Sequence, residues 1–431
     1  MPDARRQVLP SPGPLSLLVS TMRILTVILG SILACYSLVG ILSERLWQNN
    51  QSVDHVLCRF LLCANAPLAE QARQQMASVE GEAAQKAIAT LKLVVQRDPQ
   101  NPYRWAELGE AFREAGQDEN ARYCFDQVPA LAPNAPDLLL RSANFHLQIG
   151  ETTKALHITA RILTLTPDYD ALIFSEYTRL VDQVEDVLRY GLPEDRRAAE
   201  SWLRFLIQGG RVDDAQRTWE WAVERGYADE PLAGEYAEFL IGQGHPDLAA
   251  SAWFRYLGTR SGEYRKSTYL FNGHFESEPT PSPFDWNLAR TQGVEVARDC
   301  TSAKSGKCSL RIKFSGTRNL DFAAASQITL VPPGPYRFHA LIRTEGLTTD
   351  QGIRFRVSDA EAPARLDAIF GQSIGSMPWS PVEYDLKVPQ ATRLLQVQVI
   401  RQPSMRFDNK VAGTAWIDDL RLEPIGNRSS R

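Results

Sequence analysis

The chain has 431 residues, of which 44% are hydrophobic and 23% are charged, and its formal net charge at pH 7 is -4. This length exceeds what one hydrophobic core usually serves, so we expect two or three domains. Nucleic-acid binding needs a concentrated basic face. A chain with this charge balance gives no sign of one, and we exclude that class.

An uncharged stretch runs from Ile24 to Leu42. Nineteen residues of helix, at about 1.5 Å per residue, match a hydrocarbon core roughly 30 Å thick. Arg5, Arg6 and Arg23 precede the stretch, and the positive-inside rule therefore keeps residues 1–23 in the cytoplasm. We predict a single-pass transmembrane helix over residues 24–42, with residues 43–67 as a juxtamembrane linker or helix.

Two alternatives to a retained anchor stay open. The segment could be a cleaved signal peptide, although no small-x-small site closes the apolar run. Cys35 could also be lipidated, because residues 32–35 loosely resemble the lipobox of bacterial lipoproteins. The residues after Cys35 stay apolar, however, where a lipoprotein turns polar.

Residues 68–257 carry a period of 34 residues. Prolines at 99, 133 and 167 keep this step, and so do alanines at 87, 121 and 155. After an irregular insertion at about residues 168–197, a second pair of Gly, Ala and Trp positions has the same spacing. The period is typical of stacked helical hairpins, and we predict about five of them. The alternative is a non-repetitive helical bundle.

The best copy of the repeat reads Trp105, Leu108, Gly109, Phe112, Ala121, Phe125 and Pro133. By these residues the region resembles tetratricopeptide-repeat proteins. The resemblance implies an α-solenoid whose groove binds an envelope protein or peptide. Gly109 and Ala121 are small where the two helices of a hairpin approach closely. Pro129 lies inside the second helix, which we expect it to kink or shorten.

From residue 268 to residue 425 the apolar residues alternate with a period of two, as in the segment 309–314. This pattern is typical of half-buried strands separated by turns. Roughly nine or ten short strands predict a β-sandwich. Residues 258–267 are expected to form a linker, and residues 426–431 a tail.

The two ends of this region carry a second resemblance. The opening segment 270–276 includes Asn-Gly-His-Phe-Glu, and the closing segment 415–422 reads Ala-Trp-Ile-Asp-Asp-Leu-Arg-Leu. Both resemble jelly-roll carbohydrate-binding modules with a galactose-binding-like fold. By this resemblance Glu276 and Asp419 are candidate ligands of a structural calcium ion. Alternatively, Asp418 and Asp419 simply alternate across a strand.

Sugar binding requires an exposed aromatic platform flanked by hydrogen-bonding side chains. We expect the carbohydrate-binding residues to be Trp286, Trp379, Tyr384, Arg354 and Arg356. Gln396 and Gln398 are further polar groups on strand faces. Trp286 and Trp379 fall in Pro-rich loops, where they would be rim platforms or buried plugs.

Cys300 and Cys308 flank a polar segment between two strand-like runs. We predict a disulfide between them, which would stabilise the fold by roughly 2 to 3 kcal/mol on the chain-entropy treatment. Cys58 and Cys63 are either bridged or two buried thiols. No Cys and His spacing matches a zinc site.

The sequence contains none of the common catalytic motifs, and we expect a protein that is not an enzyme. The architecture resembles accessory proteins of exopolysaccharide or capsule assembly. We therefore expect a non-catalytic adaptor in a bacterial inner membrane, mostly periplasmic, that binds a protein partner and a polysaccharide. One alternative is a protein-protein scaffold without a sugar site. Another is a cryptic glycoside hydrolase that uses Glu276 with Asp367.

Overall fold

A computed structural model describes residues 22, 25–35, 37–38, 65–76, 81–262, 264 and 268–426. The amino-terminal part of the chain is helical and the carboxyl-terminal part consists of antiparallel β-sheets. The chain divides into two compact units, one ending at Tyr169 and the other beginning at Asp170. The second unit therefore contains both helices and strands.

Residues 25–35 and 37–38, which belong to the predicted anchor, are helical. Within the part of the chain that the structure describes, no helix combines the length and the apolar character needed to cross a membrane. Residues 24, 36 and 39–64 lie outside the described residues, as do Cys58 and Cys63 within that last range.

The first unit is built from consecutive helical hairpins. Its helices are α1 (Asn65–Met76), α2 (Gly81–Arg97), α3 (Pro102–Glu114), α4 (Asp118–Leu131), α5 (Pro136–Gln148) and α6 (Thr152–Leu165), followed by a 3-10 turn (Pro167–Tyr169). The periodic prolines at 99, 133 and 167 each lie two residues beyond the end of a helix. This position fits a residue that cannot donate a backbone hydrogen bond.

The turns inside the second and third hairpins have the same geometry. Gly116, between α3 and α4, has φ +71°, and Gly150, between α5 and α6, has φ +81°. Glycine adopts this left-handed conformation without steric cost. The amide that follows each glycine then donates to a carbonyl five residues back, at 2.9 Å from Gln117 to Phe112 and at 2.8 Å from Glu151 to His146. The 34-residue period therefore reflects a helix-ending motif that recurs at Gly116 and Gly150.

Close packing explains the small residues of the best repeat copy. A Cβ atom on Gly109 would lie 2.8 Å from the ring of Phe125, and Ala121 is fully buried. The indole N–H of Trp105 donates to the Pro99 carbonyl at 2.8 Å. Helix α4 continues through Pro129 and ends two residues later, at Leu131.

The helices of the second unit are α7 (Asp170–Leu180), α8 (Val184–Asp186), α9 (Arg196–Gln208), α10 (Val212–Glu224), α11 (Glu230–Gly242) and α12 (Pro246–Leu257). Helix α8 leads into a π-helical turn (Val187–Gly191), and α12 leads into a 3-10 turn (Gly258–Ser261). The π-helical turn lies in the stretch that the repeat pattern did not fit. Trp202, Trp219 and Trp253 are fully buried between these helices.

Ten strands form a sandwich of two sheets. They are β1 (Asn287–Leu288), β2 (Val294–Asp299), β3 (Ser309–Ser315), β4 (Phe322–Leu330), β5 (Gly334–Leu347), β6 (Ile353–Asp359), β7 (Asp367–Ser373), β8 (Gly375–Val388), β9 (Leu394–Arg401) and β10 (Ala412–Pro424). Sheet A has the order β1-β4-β9-β6-β7, and sheet B has the order β2-β3-β10-β5-β8. Side chains such as Phe338, Phe355 and Ile417 fill the core between the sheets.

One expectation about this region was wrong. Trp379 lies within strand β8 rather than in a Pro-rich loop. Strand β8 contains Pro378 and Pro381, and these two prolines led us to expect a loop from the sequence. It is an edge strand of sheet B, and prolines are tolerated at an edge because one side of the strand needs no donors.

Helix α11 contacts the segment 279–283, which precedes strand β1, through backbone atoms. A Cβ atom on Gly234 would lie 1.9 Å from the carbonyl oxygen of Pro281. An ion pair between Asp247 of α12 and Arg393 adds a second link, and the Trp253 and Phe271 rings meet edge to face at 6.2 Å. The last helical hairpin and the sandwich are thus packed together within the second unit.

We predict that Gly234→Ala lowers the free energy of unfolding by about 3 kcal/mol, because a methyl group would overlap backbone that cannot rotate away. Gly242→Ala is the matched control. It lies on the same helix with open space around its Cα, and alanine there should stabilise the helix by about 0.5 to 1 kcal/mol. Urea denaturation measures both. Equal effects of the two substitutions would contradict the contact.

Candidate functional site

The outer face of sheet A carries a row of polar side chains. Strand β9 alternates, so that Val397 and Val399 enter the core while Gln396 and Gln398 lie on the outer face. Backbone pairing then aligns residues of all five strands in one row, Asn287, Ser326, Gln398, Arg356 and Ile369. The row crosses the sheet from one edge to the other.

Two arginines on this face have fixed orientations. Arg356 binds both carboxylate oxygens of Asp367, at 2.7 and 2.9 Å. These hydrogen bonds lower the pKa of Asp367 and raise that of Arg356, so the two side chains form a charged pair. Arg354 donates to the amide oxygens of Gln351, Gln372 and Gln402. The structure therefore brings Arg354 and Arg356, two of the predicted sugar contacts, to one surface.

Gln398, beside Arg356 in the row, has an unused acceptor. Its side-chain Oε1 is buried and has no hydrogen-bond partner among the described residues, and the residue is 8% exposed. A buried acceptor without a donor costs about 1 to 3 kcal/mol. A hydroxyl group of a ligand on this face would remove that cost.

At the β1 edge of the row, the outer face opens into a cavity of about 700 Å³. This volume is within the range of small-ligand sites. Its lining residues come from the strand face, from the segment before β1 and from helix α11: Glu238, Glu278, Pro279, Thr280, Pro281, Ser282, Pro283, Trp286, Asn287, Leu288, Ser326, Gln327, Ile328 and Gln396. We call this cavity, together with the row from Ser326 to Arg356, the groove.

Of the two alternatives for Trp286, a rim platform for sugar binding or a buried plug, its burial agrees with the plug. The residue is 1% exposed, and its ring lies 5.4 Å from that of Phe275 in the core. It is part of the wall beneath the cavity. The aromatic sequence pattern identified a large side chain at this place but could not tell which way it faces.

The other predicted aromatic residues lie on sheet B. Tyr384 of strand β8 is 39% exposed and stacks on Phe370 at 4.2 Å. Trp379 lines a shallow depression beside Arg343. Trp416 donates its indole N–H to Asp299 and lies under the Arg343 guanidinium. The structure thus separates Trp379 and Tyr384 from the two arginines of sheet A.

The two residues predicted to bind calcium, Glu276 and Asp419, each have partners within the chain. Glu276 accepts hydrogen bonds from the backbone amides of Lys307 and Cys308, at 2.7 and 3.0 Å, which lower its pKa. Asp419 is paired with the Arg421 guanidinium at 2.9 Å. No group of three or more His, Cys, Asp or Glu residues in the described part of the chain could hold a metal ion.

Asp418, the neighbour of Asp419, links strand β10 to the loop between strands β2 and β3. It is fully buried and accepts the backbone amides of Lys304 and Ser305, at 2.8 and 2.7 Å. Burial raises the pKa of Asp418, but the His274 imidazole 3.8 Å away and the hydrogen bonds from these amides outweigh it and lower the pKa overall. The pKa of His274 is raised, chiefly by the nearby Asp418 carboxylate.

Cys300 and Cys308 form a disulfide that closes the same loop. Asp418 and the disulfide therefore hold the 301–307 segment from two sides. The two carboxylates of the hydrolase alternative have separate partners, since Glu276 binds backbone amides of this loop and Asp367 binds Arg356.

No protein-family model and no curated protein matches the chain. Among solved structures, the carbohydrate-binding module TmCBM61, in complex with β-1,4-galactotriose, is 18% identical, with 36% of this chain and 98% of that chain covered and a TM-score of 0.27. A CBM22-1 xylan-binding domain from Paenibacillus barcinonensis is 12% identical, with 36% of this chain and 93% of that chain covered and a TM-score of 0.27. MamA is 15% identical, with 41% of this chain and 88% of that chain covered and a TM-score of 0.20.

Asn287, Ser326 and Glu238 are among the groove residues that sequence reasoning missed. Asn287 could have been found because its neighbours Trp286 and Leu288 are apolar, whereas Ser326 is followed by the polar Gln327 and has no such signal. Glu238 could not have been found, because it lies on a helix whose position against the sandwich depends on tertiary packing.

We predict that Asp418→Asn lowers the free energy of unfolding at pH 7 by about 2 kcal/mol, since the hydrogen bonds it weakens are to a charged group. The folded-state pKa of Asp418 is below its usual value of 3.8. Its contribution is therefore present above that value and is lost as the pH falls through the lower, folded pKa. The difference in urea midpoint between the unaltered protein and Asp418→Asn should be smaller below pH 4 than at pH 7. An equal difference at both pH values would contradict this role of Asp418.

Proposed function

We propose that this protein is a non-catalytic adaptor of a bacterial cell envelope, in which the helical repeats bind a protein partner and the sandwich binds a polysaccharide in the groove. The observation that carries the sugar-binding part is the cavity of about 700 Å³ that continues into a polar row on the outer face of sheet A. Hydroxyl-rich ligands need such closely spaced donors and acceptors on a rigid floor.

Three side chains support this proposal. Asn287 and Gln396 line the cavity and form no side-chain hydrogen bond with any other described residue. Gln398 has the buried acceptor without a donor. Each of them is held by strand backbone, so binding a sugar would cost little ordering of the site.

The repeats offer a charged surface for a protein partner. Ion pairs join the first helices of neighbouring hairpins, as between Glu110 of α3 and Arg141 of α5 at 2.8 Å. A similar pair joins Arg204 of α9 to Glu235 of α11 at 2.9 Å. Exposed pairs of this kind contribute little to stability, and a partner can exchange them for its own charges. We therefore propose a polar, charged peptide segment as the protein ligand.

The envelope location is also a proposal. It is supported by the uncharged stretch at residues 24–42 and by the arginines before it. The Cys300–Cys308 disulfide adds support, because such bonds persist in oxidising compartments such as the periplasm.

We predict that the double substitution Asn287→Ala with Gln396→Ala weakens polysaccharide binding about tenfold or more, since two hydrogen bonds of about 0.5 to 1.5 kcal/mol each are removed. Affinity electrophoresis against a panel of neutral galactan, xylan, glucan and mannan measures it. Lys313→Ala with Thr414→Ala, on the outer face of sheet B, is the control and should bind as the unaltered protein does. If Trp379→Ala abolishes binding and the groove variant does not, the site lies on sheet B.

A second candidate function, a scaffold that binds only proteins, is favoured by one loop of the sandwich. In the 402–411 loop Met405 is 96% exposed and Phe407 is 105% exposed. The base of this loop is fixed, because the backbone of Ser404 is hydrogen bonded to the side chain of Asn319. Fully exposed apolar side chains on a rigid base are a feature of protein contacts.

For the scaffold we predict that a photo-cross-linking residue at position 407 captures an envelope protein in cells, and that Met405→Ser prevents the capture without lowering the melting temperature. No stability should be lost because both side chains are in solvent. Absence of any polysaccharide binding by the panel, together with this cross-link, would favour the scaffold over the adaptor.

A further inference from the structure

The groove is not made by the sandwich alone. Glu238, on helix α11, lines the cavity opposite the residues of strand β4. The backbone contact between Gly234 and Pro281 lies one helical turn before Glu238 on the same helix. Because that contact leaves no room for a methyl group, the helix and its glutamate have a fixed position beside the groove.

The charges around the cavity have one sign. Two carboxylates, Glu238 and Glu278, line it, and no lysine, arginine or histidine is among the lining residues that the structure describes. Glu278 is paired with Arg298 at 3.2 Å. Glu238 is exposed and has no ion pair or side-chain hydrogen bond with another described residue. Its negative charge is therefore available to a ligand in the groove.

The nearest cations on the strand face do not change this balance. The positive charge of Arg356 is balanced by the Asp367 carboxylate, which accepts two hydrogen bonds from it. Arg354 lies further along its strand, paired with Ile400, whereas the cavity reaches strand β9 only at Gln396. Among the residues that the structure describes, the lining of the cavity thus presents one unpaired carboxylate and no lysine, arginine or histidine.

We propose that Glu238 makes the groove a shared site of helix α11 and the sandwich, and that it selects uncharged polysaccharides by excluding those with uronate carboxylates. This inference rests on the proposed sugar-binding function. A second carboxylate brought close to Glu238 is repelled, and the repulsion weakens as salt screens the exposed charges. The helical part of the chain thereby contributes specificity to a site whose hydrogen bonds come from strands.

The test compares β-1,4-galactan, β-glucan and mannan with the same polymers after oxidation of their primary alcohols to carboxylates. The whole protein is used, and affinities are measured at about 0.02 M and about 0.5 M NaCl, where screening differs strongly. We expect the native form of the polymer that binds to be preferred about tenfold over its oxidised form at low salt. The preference should shrink at high salt.

Glu238→Gln should raise the affinity for the oxidised polymer to within about threefold of the affinity that the same variant shows for the native polymer. Glu238→Lys should reverse the preference. Glu235→Gln is the matched control, because Glu235 lies on the same helix but pairs with Arg204 away from the cavity. It should keep the full preference.

The outcomes separate the two proposals. If the unaltered protein binds none of the polymers, the sugar-binding function is wrong and the inference falls with it. If it binds native and oxidised polymers equally, or if Glu238→Gln keeps the full preference in a protein with an unchanged circular dichroism spectrum, the inference alone is overturned.

Discussion

The backbone contact between Gly234 and Pro281 is the constraint on which the candidate site depends. It lets helix α11 lie against the segment before strand β1 with no side chain between them. This approach places helix α11, with Glu238, at the wall of the cavity. Interiors packed this tightly transmit displacements rather than absorb them, so a shift of the helix would displace that wall. The fold thus places a helical side chain in a groove whose floor belongs to a different type of secondary structure.

A second set of interactions holds the sandwich itself. Asp418 ties the last strand to the 301–307 loop, and the disulfide closes that loop at its base. Both features are at the place where the resemblance to carbohydrate-binding modules implied calcium. The amides of Lys307 and Cys308 both donate to Oε1 of Glu276, and the Arg421 guanidinium is paired with Asp419. Hydrogen-bond donors of the chain hold these carboxylates in place.

Much of the fold could be predicted from the sequence, because the signals are local. The 34-residue step reflects a helix-ending glycine repeated in the second and third hairpins, and the period of two in segments such as 309–314 reflects one buried strand face. The site was predicted less well. Arg354 and Arg356 were placed on a common outer face by alternation alone. Trp286 is buried because its loop folds inward. The placement of Trp379 in a loop was wrong because an edge strand tolerates the prolines around it. Glu238 depended on a tertiary contact that no local pattern encodes.

We propose that one polysaccharide chain contacts both helix α11 and the outer face of sheet A. Backbone hydrogen exchange, followed by mass spectrometry with and without saturating polysaccharide, can test this, since bound ligand slows local opening. We expect slower exchange in segment 326–328 of strand β4 and in the part of α11 around Glu238, with strand β8 unchanged. Protection confined to β8 and β10, with none in α11, would contradict it.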